Sequence, residues 1–323
     1  MRVAAIQLEP RLGDVAANLE ACERLADRAA AEGAEWIVLP EFFSTGMGFA
    51  PELAGAALAP DGAATRLLLD LAARHGATVG GSFLCRDPDG DVRNAFLLAT
   101  PDGVAGRHDK DLPTMWENAF YVGGGDDGIM RAGGLDVGAA VCWEFMRTQT
   151  ARRLRGRVDL LVGGSFWWSF PDWPPRAVMR RREVANERQA VGAAPAMAPY
   201  VGAPVVHASN CGPLECASPW FPLRYRGHVE GGASVTDAHG RILAFRDRRE
   251  GEGLAIADVE PGRVAPERTI PGRFWLHRRD PMAAFFWSYQ RLHGRRWYPR
   301  NVRGRPPLAV ERPLEREQAG LAL

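Results

Sequence analysis

The chain has 323 residues, 46% hydrophobic and 24% charged, which excludes whole-chain disorder and leaves enough apolar material for a sizeable core. Forty basic residues against 39 acidic ones give a net charge of +1, so no global field recruits nucleic acid or an anionic membrane. Five scattered cysteines (Cys22, Cys85, Cys142, Cys211 and Cys216) lack C-x-x-C pairs, which argues against a disulfide framework or a zinc site and predicts a reducing, cytoplasmic setting. The opening MRVAAIQLEPRLGD reaches an acid and a proline before a signal-peptide core forms. No run approaches the roughly 20 apolar residues of a membrane span, so a soluble protein is expected.

In chain order, residues 2–9 read as a strand, and Asp14 as the N-cap of a helix ending near Glu32, with Gly33 as its stop. EWIVLPE (35–41) reads as a short buried strand ending at a carboxylate. A helix near 62–74 follows, then strands near 77–86 and 92–100 joined by the turn-rich DPDGD. Asp102-Gly103 turns the chain toward Lys110. In LDVGAAVCWE (135–144) a strand ends at Cys142, followed by a helix near 147–155, a strand at 158–165 and a long helix over about 176–193. Strands near 203–209, 231–236, 241–246 and 253–259 complete the regular portion, the middle pair linked by the hairpin signal DAHG. Strands mixed with helices and hairpins predict a sheet-based α/β core spanning residues 1–264.

Residues 265–323 differ in character. The stretch 263–316 holds 13 Arg against four acids, with an aromatic cluster at 285–289. Nucleic-acid binding is one reading of such a run. An Arg-rich extension that packs on the core or on a partner subunit is favoured, because proline and aromatic residues dilute the basic charge.

Of the 40 basic residues only one is lysine, Lys110. Where a compact ammonium is needed, arginine cannot substitute, so Lys110 marks a position to inspect. Glu41, Lys110 and Cys142 each fall at or just past the end of an apolar strand, where a sheet presents side chains to a crevice. A cysteine nucleophile needs a base for its proton and a cation for the developing oxyanion; a carboxylate and an ammonium supply both without metal or cofactor.

LPEFF around Glu41, HDKDLPTMWE around Lys110 and VCWE around Cys142, in that order and spacing, resemble the three signature segments of the nitrilase (carbon–nitrogen hydrolase) superfamily. The resemblance runs from AAIQLEPRLGDVAANL to about residue 260. It implies an αββα sandwich, two stacked sheets flanked by helices, assembled as a homodimer or higher homo-oligomer. It also implies a cofactor-independent thiol hydrolase that cleaves a non-peptide C–N bond of a small amide, nitrile or carbamoyl compound. In that scheme Glu41 is the general base, Lys110 the cation facing the oxyanion, Cys142 the nucleophile, and Glu117 a second glutamate orienting substrate or lysine. The Trp143 backbone N–H completes the oxyanion site. Trp116, Phe166, Trp167 and Trp168 are candidate substrate contacts. Asp109 before the lysine, and Phe145-Met146-Arg147 after Cys-Trp-Glu, depart from nitrilases proper, which tilts the reading toward amides. Acyl transfer on the same scaffold, and a non-catalytic binding protein using the basic tail, are the alternatives. The seven histidines lack metal-ligand spacing, and no metal or cofactor is expected.

Overall fold

A computed structural model describes residues 1–310; the remainder of the Arg-rich extension, 311–323, lies outside the described residues. In β1 (Arg2–Leu8) alternate side chains face opposite ways, as a pleated strand requires. Ala4, Ile6 and Leu8 join a core shared with two helices, whereas Val3 and Ala5 join one shared with a second sheet. The first helix, α1 (Val15–Ala31), begins at Asp14, whose carboxylate accepts the Ala17 N–H at 3.1 Å. It buries Leu19, Cys22, Leu25, Ala26 and Ala29, the three- and four-residue spacing of one helical face.

The chain continues through β2 (Trp36–Val38), α2 (Ala63–His75), β3 (Thr78–Arg86), β4 (Val92–Thr100) and β5 (Gly103–Asp109). Then come β6 (Ile129–Ala132), β7 (Leu135–Val141), α3 (Thr148–Leu154), β8 (Leu160–Ser165) and α4 (Arg176–Val201). The long hairpin β9 (Val205–Ser218) and β10 (Phe221–Thr236), with β11 (Ile242–Asp247), β12 (Gly253–Asp258) and α5 (Pro281–Asn301), completes it.

Strand pairing resolves into two six-stranded halves, β5-β4-β3-β2-β1-β12 and β6-β7-β8-β9-β10-β11. They are joined only where β1 meets β9, at Gln7 with Ser209 and Leu8 with Asn210. Helices α1 and α2 cover the first half, and α3 and α4 the second, which gives the expected αββα sandwich. No helix among the described residues is long and apolar enough to cross a membrane.

Several elements differ from the sequence reading. β2 stops at Val38, because Pro40 cannot donate to a ladder and Phe42 takes a positive φ of 52°. β7 stops at Val141, and Cys142–Met146 forms a short 3-10 turn. The strands expected at 203–209 and 231–236 are much longer, pairing through Gly212 and Pro213. The largest difference is α5, in the stretch read as an irregular tail. Asp280 caps it, accepting the Met282 N–H at 2.8 Å, with Pro281 in the first turn, where a missing N–H costs nothing. Tyr298 fastens it to β4: its hydroxyl accepts the Val92 N–H at 2.8 Å and donates to Asp91 Oδ1 at 2.9 Å.

α5 crosses the 3-10 turn Met115–Ala119 at Gly294, where a Cβ would lie 2.4 Å from the Asn118 carbonyl carbon. On an exposed helix Gly→Ala stabilises by about 1 kcal/mol. At this crossing the sign reverses: Gly294→Ala is expected to destabilise by about 1–3 kcal/mol, the ordinary cost of overpacking. Urea unfolding checks it; a stabilised variant would mean α5 does not dock as described.

Candidate active site

Glu41 leaves the sheet just after β2, Lys110 follows β5, and Cys142 follows β7 with a φ of +55°, a strained value for a non-glycine residue. All three are fully buried. Lys110 Nζ donates to Glu41 Oε1 and to Glu117 Oε2, each at 2.8 Å. Glu41 Oε1 also accepts Asn94 Nδ2 at 2.9 Å, and its Oε2 accepts the Phe166 N–H at 2.7 Å. Glu117 Oε2 further accepts the Thr114 N–H at 2.7 Å and the Tyr121 hydroxyl. Its other oxygen, Oε1, is buried with no partner among the described residues. Cys142 is close enough to Glu41, Lys110 and Glu117 for all three to act on its thiol electrostatically.

Burial and charge set the protonation states. Burial disfavours the Lys110 ammonium, but Glu117 and Glu41 more than offset it and hold the proton tighter than in water. Burial pushes Glu117 up to about 7 against the pull of Lys110. Cys142 is driven well above its ordinary range, by burial first and then by the Glu41 charge, with Lys110 opposing. At neutral pH Cys142 therefore rests as the thiol.

Glu144 ties the strand ends together. One oxygen accepts the Val141 N–H at 2.7 Å, fixing the turn that carries Cys142; the other accepts the Asp111 N–H at 3.1 Å, fixing the segment that carries Lys110. Asn210 Nδ2 reaches the Glu41 carbonyl at 2.7 Å and that of Ser165 at 3.1 Å, locking the Glu41 loop to β8. Sequence reasoning missed Asn94, Tyr121, Glu144 and Asn210. Only Glu144 carried a signal, as a charged residue inside the apolar VCWE string.

Trp116, Trp143, Trp167 and Trp168 line one cavity with Tyr225 and, from α5, Phe286. Phe166 turns its ring toward Phe42 and Trp168 and reaches the site through its backbone N–H. Cys211 has no lysine partner, and burial lifts its thiol to about 12. Glu183, His228 and Glu230 form the one grouping among the described residues with metal-ligand proximity. His228 Nε2 stands 3.0 Å from Glu183 and 3.4 Å from Glu230. Burial opposes its charge, but the two carboxylates push it up to about 9, so the ring holds its proton and offers no lone pair at Nε2.

A four-layer sandwich with a buried glutamate, lysine and cysteine at its strand ends defines a class that comparison with known proteins makes specific. The profile of the carbon–nitrogen hydrolase family matches residues 2–269, and the chain belongs to that family. A nitrilase from Pyrococcus abyssi is 30% identical over 161 residues, 48% of this chain and 60% of that protein, so the match spans less than two thirds of its length. A deaminated glutathione amidase from Synechocystis is 26% identical over 284 residues, 82% of this chain and 93% of that protein. An amidase structure from Nesterenkonia sp. superposes with a TM-score of 0.65 at 22% identity, covering 83% of this chain and 93% of that one, and shares the fold.

Beneath this site, His108 bridges Glu144, at 2.9 Å, and Asp126. Burial opposes its charge, but the carboxylates overcome that and raise it from 6.5 to about 9. Its stabilising contribution is therefore complete below pH 6.5 and lost as the pH rises through about 9. Melting temperature is expected to fall across that window. His108→Gln should start lower and show a flatter profile; parallel profiles would mean that His108 does not titrate there.

Proposed function

We propose that the protein is a cofactor-independent thiol hydrolase acting on a non-peptide C–N bond of a small amide, nitrile or carbamoyl compound. The observation that carries this reading is the meeting of the Cys142 thiol, the Glu41 carboxylate and the Lys110 ammonium in one solvent-excluded cluster. Membership of the carbon–nitrogen hydrolase family supports it.

With an amide, Glu41 takes the Cys142 proton as Sγ attacks the carbonyl carbon, so no free thiolate has to form in the buried site. The carbonyl π electrons move to oxygen, and Lys110 Nζ with the Trp143 N–H stabilises the oxyanion. Collapse of the tetrahedral adduct breaks the C–N bond. The amine leaves with the proton held by Glu41, and a thioester remains on Cys142. Glu41 then deprotonates a water that attacks the thioester, and the thiol departs with the proton returned. A nitrile enters through a thioimidate, takes up water, loses ammonia and converges on the same thioester. Glu117 Oε1, buried and unpartnered, is positioned to accept a substrate N–H. The tryptophan-lined cavity, about 50 Å³, leaves room for no more than a small apolar acyl group.

The departures after Glu144 favour amides over nitriles. Ammonia release from matched amides and nitriles tests this, and turnover confined to nitriles would move the protein to the nitrilase branch.

Cys142→Ser is expected to lose at least about a hundredfold in kcat, since an alcohol beside a carboxylate base is a far poorer nucleophile. Lys110→Arg should lose nearly as much, because a planar guanidinium does not fit between Glu41 and Glu117. Near-normal kcat in the serine variant would overturn the mechanism; a mild lysine effect would remove Lys110 from it.

A further inference from the structure

Arg279 stands in the segment leading into α5, beyond residues 2–269 matched by the family profile. Its guanidinium carbon lies 3.5 Å from the ring centroid of Trp143, the residue after Cys142, and 4.7 Å from that of Trp275. Two aromatic rings thus hold a partly buried cation beside the reactive cysteine, and its charge is felt at Cys142.

What Arg279 lacks is an acceptor. It makes no hydrogen bond or ion pair with any described residue, and Nη1 is closed off from solvent without a partner. Its neighbour Asp280 is taken by Arg182 and by the cap of α5. The enclosed arginines nearest to it each reach an acceptor: Arg147 pairs with Asp111 and the Leu112 carbonyl although its Nε is unpartnered, and Arg153 approaches Glu144; farther away, Arg86 also leaves Nε and Nη2 unpartnered but donates to the Gly90 carbonyl. Arg147 also repels Arg279, so this corner carries more positive than negative charge. Burying an unpaired guanidinium is unfavourable unless something anionic completes it. The adjoining cleft, about 610 Å³, includes Trp167, Arg182, Arg188, Arg278 and Arg279, with Asp280 as its only acid.

We propose that Arg279 receives a carboxylate of the substrate, making the enzyme selective for amides or related C–N compounds that carry an anionic group. A guanidinium fits this task because its planar fork pairs with both oxygens of a carboxylate, and its stacking on Trp143 fixes the orientation of that fork. The substrate's negative charge offsets the unpaired positive charge of Arg279, and its reacting carbon is directed toward Cys142. The inference rests on Cys142 as the nucleophile.

The test compares wild type, Arg279→Gln and Arg279→Lys in the full chain by two readouts. One is the rate of Cys142 alkylation by iodoacetate relative to neutral iodoacetamide. The other is kcat/KM for monoamides of linear dicarboxylic acids of three to six carbons relative to their methyl esters. Wild type is expected to favour the anionic member in both. Arg279→Gln should lower both ratios at least tenfold, the loss appearing in KM, and Arg279→Lys should restore part of each. Indifference of wild type to charge in both readouts would overturn the proposal. So would an equal fall for charged and neutral compounds in Arg279→Gln, the mark of a purely structural clamp. Failure of the underlying thiol reading is distinguishable, because iodoacetamide would then leave Cys142 unlabelled in wild type.

Discussion

A lysine ammonium held between two carboxylates, with no solvent contact, is the interaction on which the rest of the site depends. Lys110 sits 2.8 Å from both Glu41 and Glu117, so two carboxyl groups compete for one cation inside the protein, and burial pushes Glu117 up to about 7. Moving such ions out of water costs several kcal/mol each, and a bare pair does not recover that. The two carboxyl groups are further held by donors: the Asn94 amide, the Phe166 and Thr114 N–H groups and the Tyr121 hydroxyl. Those donors come from β4, from the segment after β8 and from the turn at 114–121. The cluster therefore exists only when both sheets are in place.

The architecture supplies that placement by close backbone packing. A Cβ on Gly164 would lie 2.8 Å from the Glu41 nitrogen, so a bare backbone at the end of β8 is what lets the Glu41 loop come alongside. Glu144 and Asn210 then bridge neighbouring strand ends through backbone groups, which resist rotation more than side-chain contacts do. A thiol that stays protonated in such a site has a chemical consequence. In the proposed mechanism its activation waits for a substrate to be in position, when proton transfer to Glu41 and carbon–sulfur bond formation would occur together.

Much of this was legible in the sequence. The lone lysine, and the LPEFF, HDKDLPTMWE and VCWE strings, located Glu41, Lys110 and Cys142 because reactive groups stand out at the ends of apolar strands. Strand and helix periodicity located most of the elements, while their arrangement as a sandwich came from the family resemblance. The rest was hidden for definite reasons. Asn94 lies within β4 and Asn210 within β9, where no local pattern separates a polar group that braces the site from one that braces a loop. The contribution of Phe166 is a backbone N–H, which its side chain does not advertise. The strand read at 203–209 stops short of Gly212-Pro213, residues that usually weaken a strand, yet Pro213 pairs opposite His228. α5 was obscured by its arginines, Gly294 and Pro299, although Asp280-Pro281 is a helix-start signal that was available. Without that helix, nothing in the sequence connects Arg279 to Trp143.

The central claim is that C–N bond cleavage passes through an acyl group on Cys142. Peptide-mapped mass spectrometry of wild type quenched during turnover of an amide tests it most directly. The account predicts a mass increase equal to the acyl group, confined to the peptide containing Cys142 and absent from Cys142→Ser. Continued turnover with Cys142 unmodified, or acylation appearing first on Cys211, would contradict it.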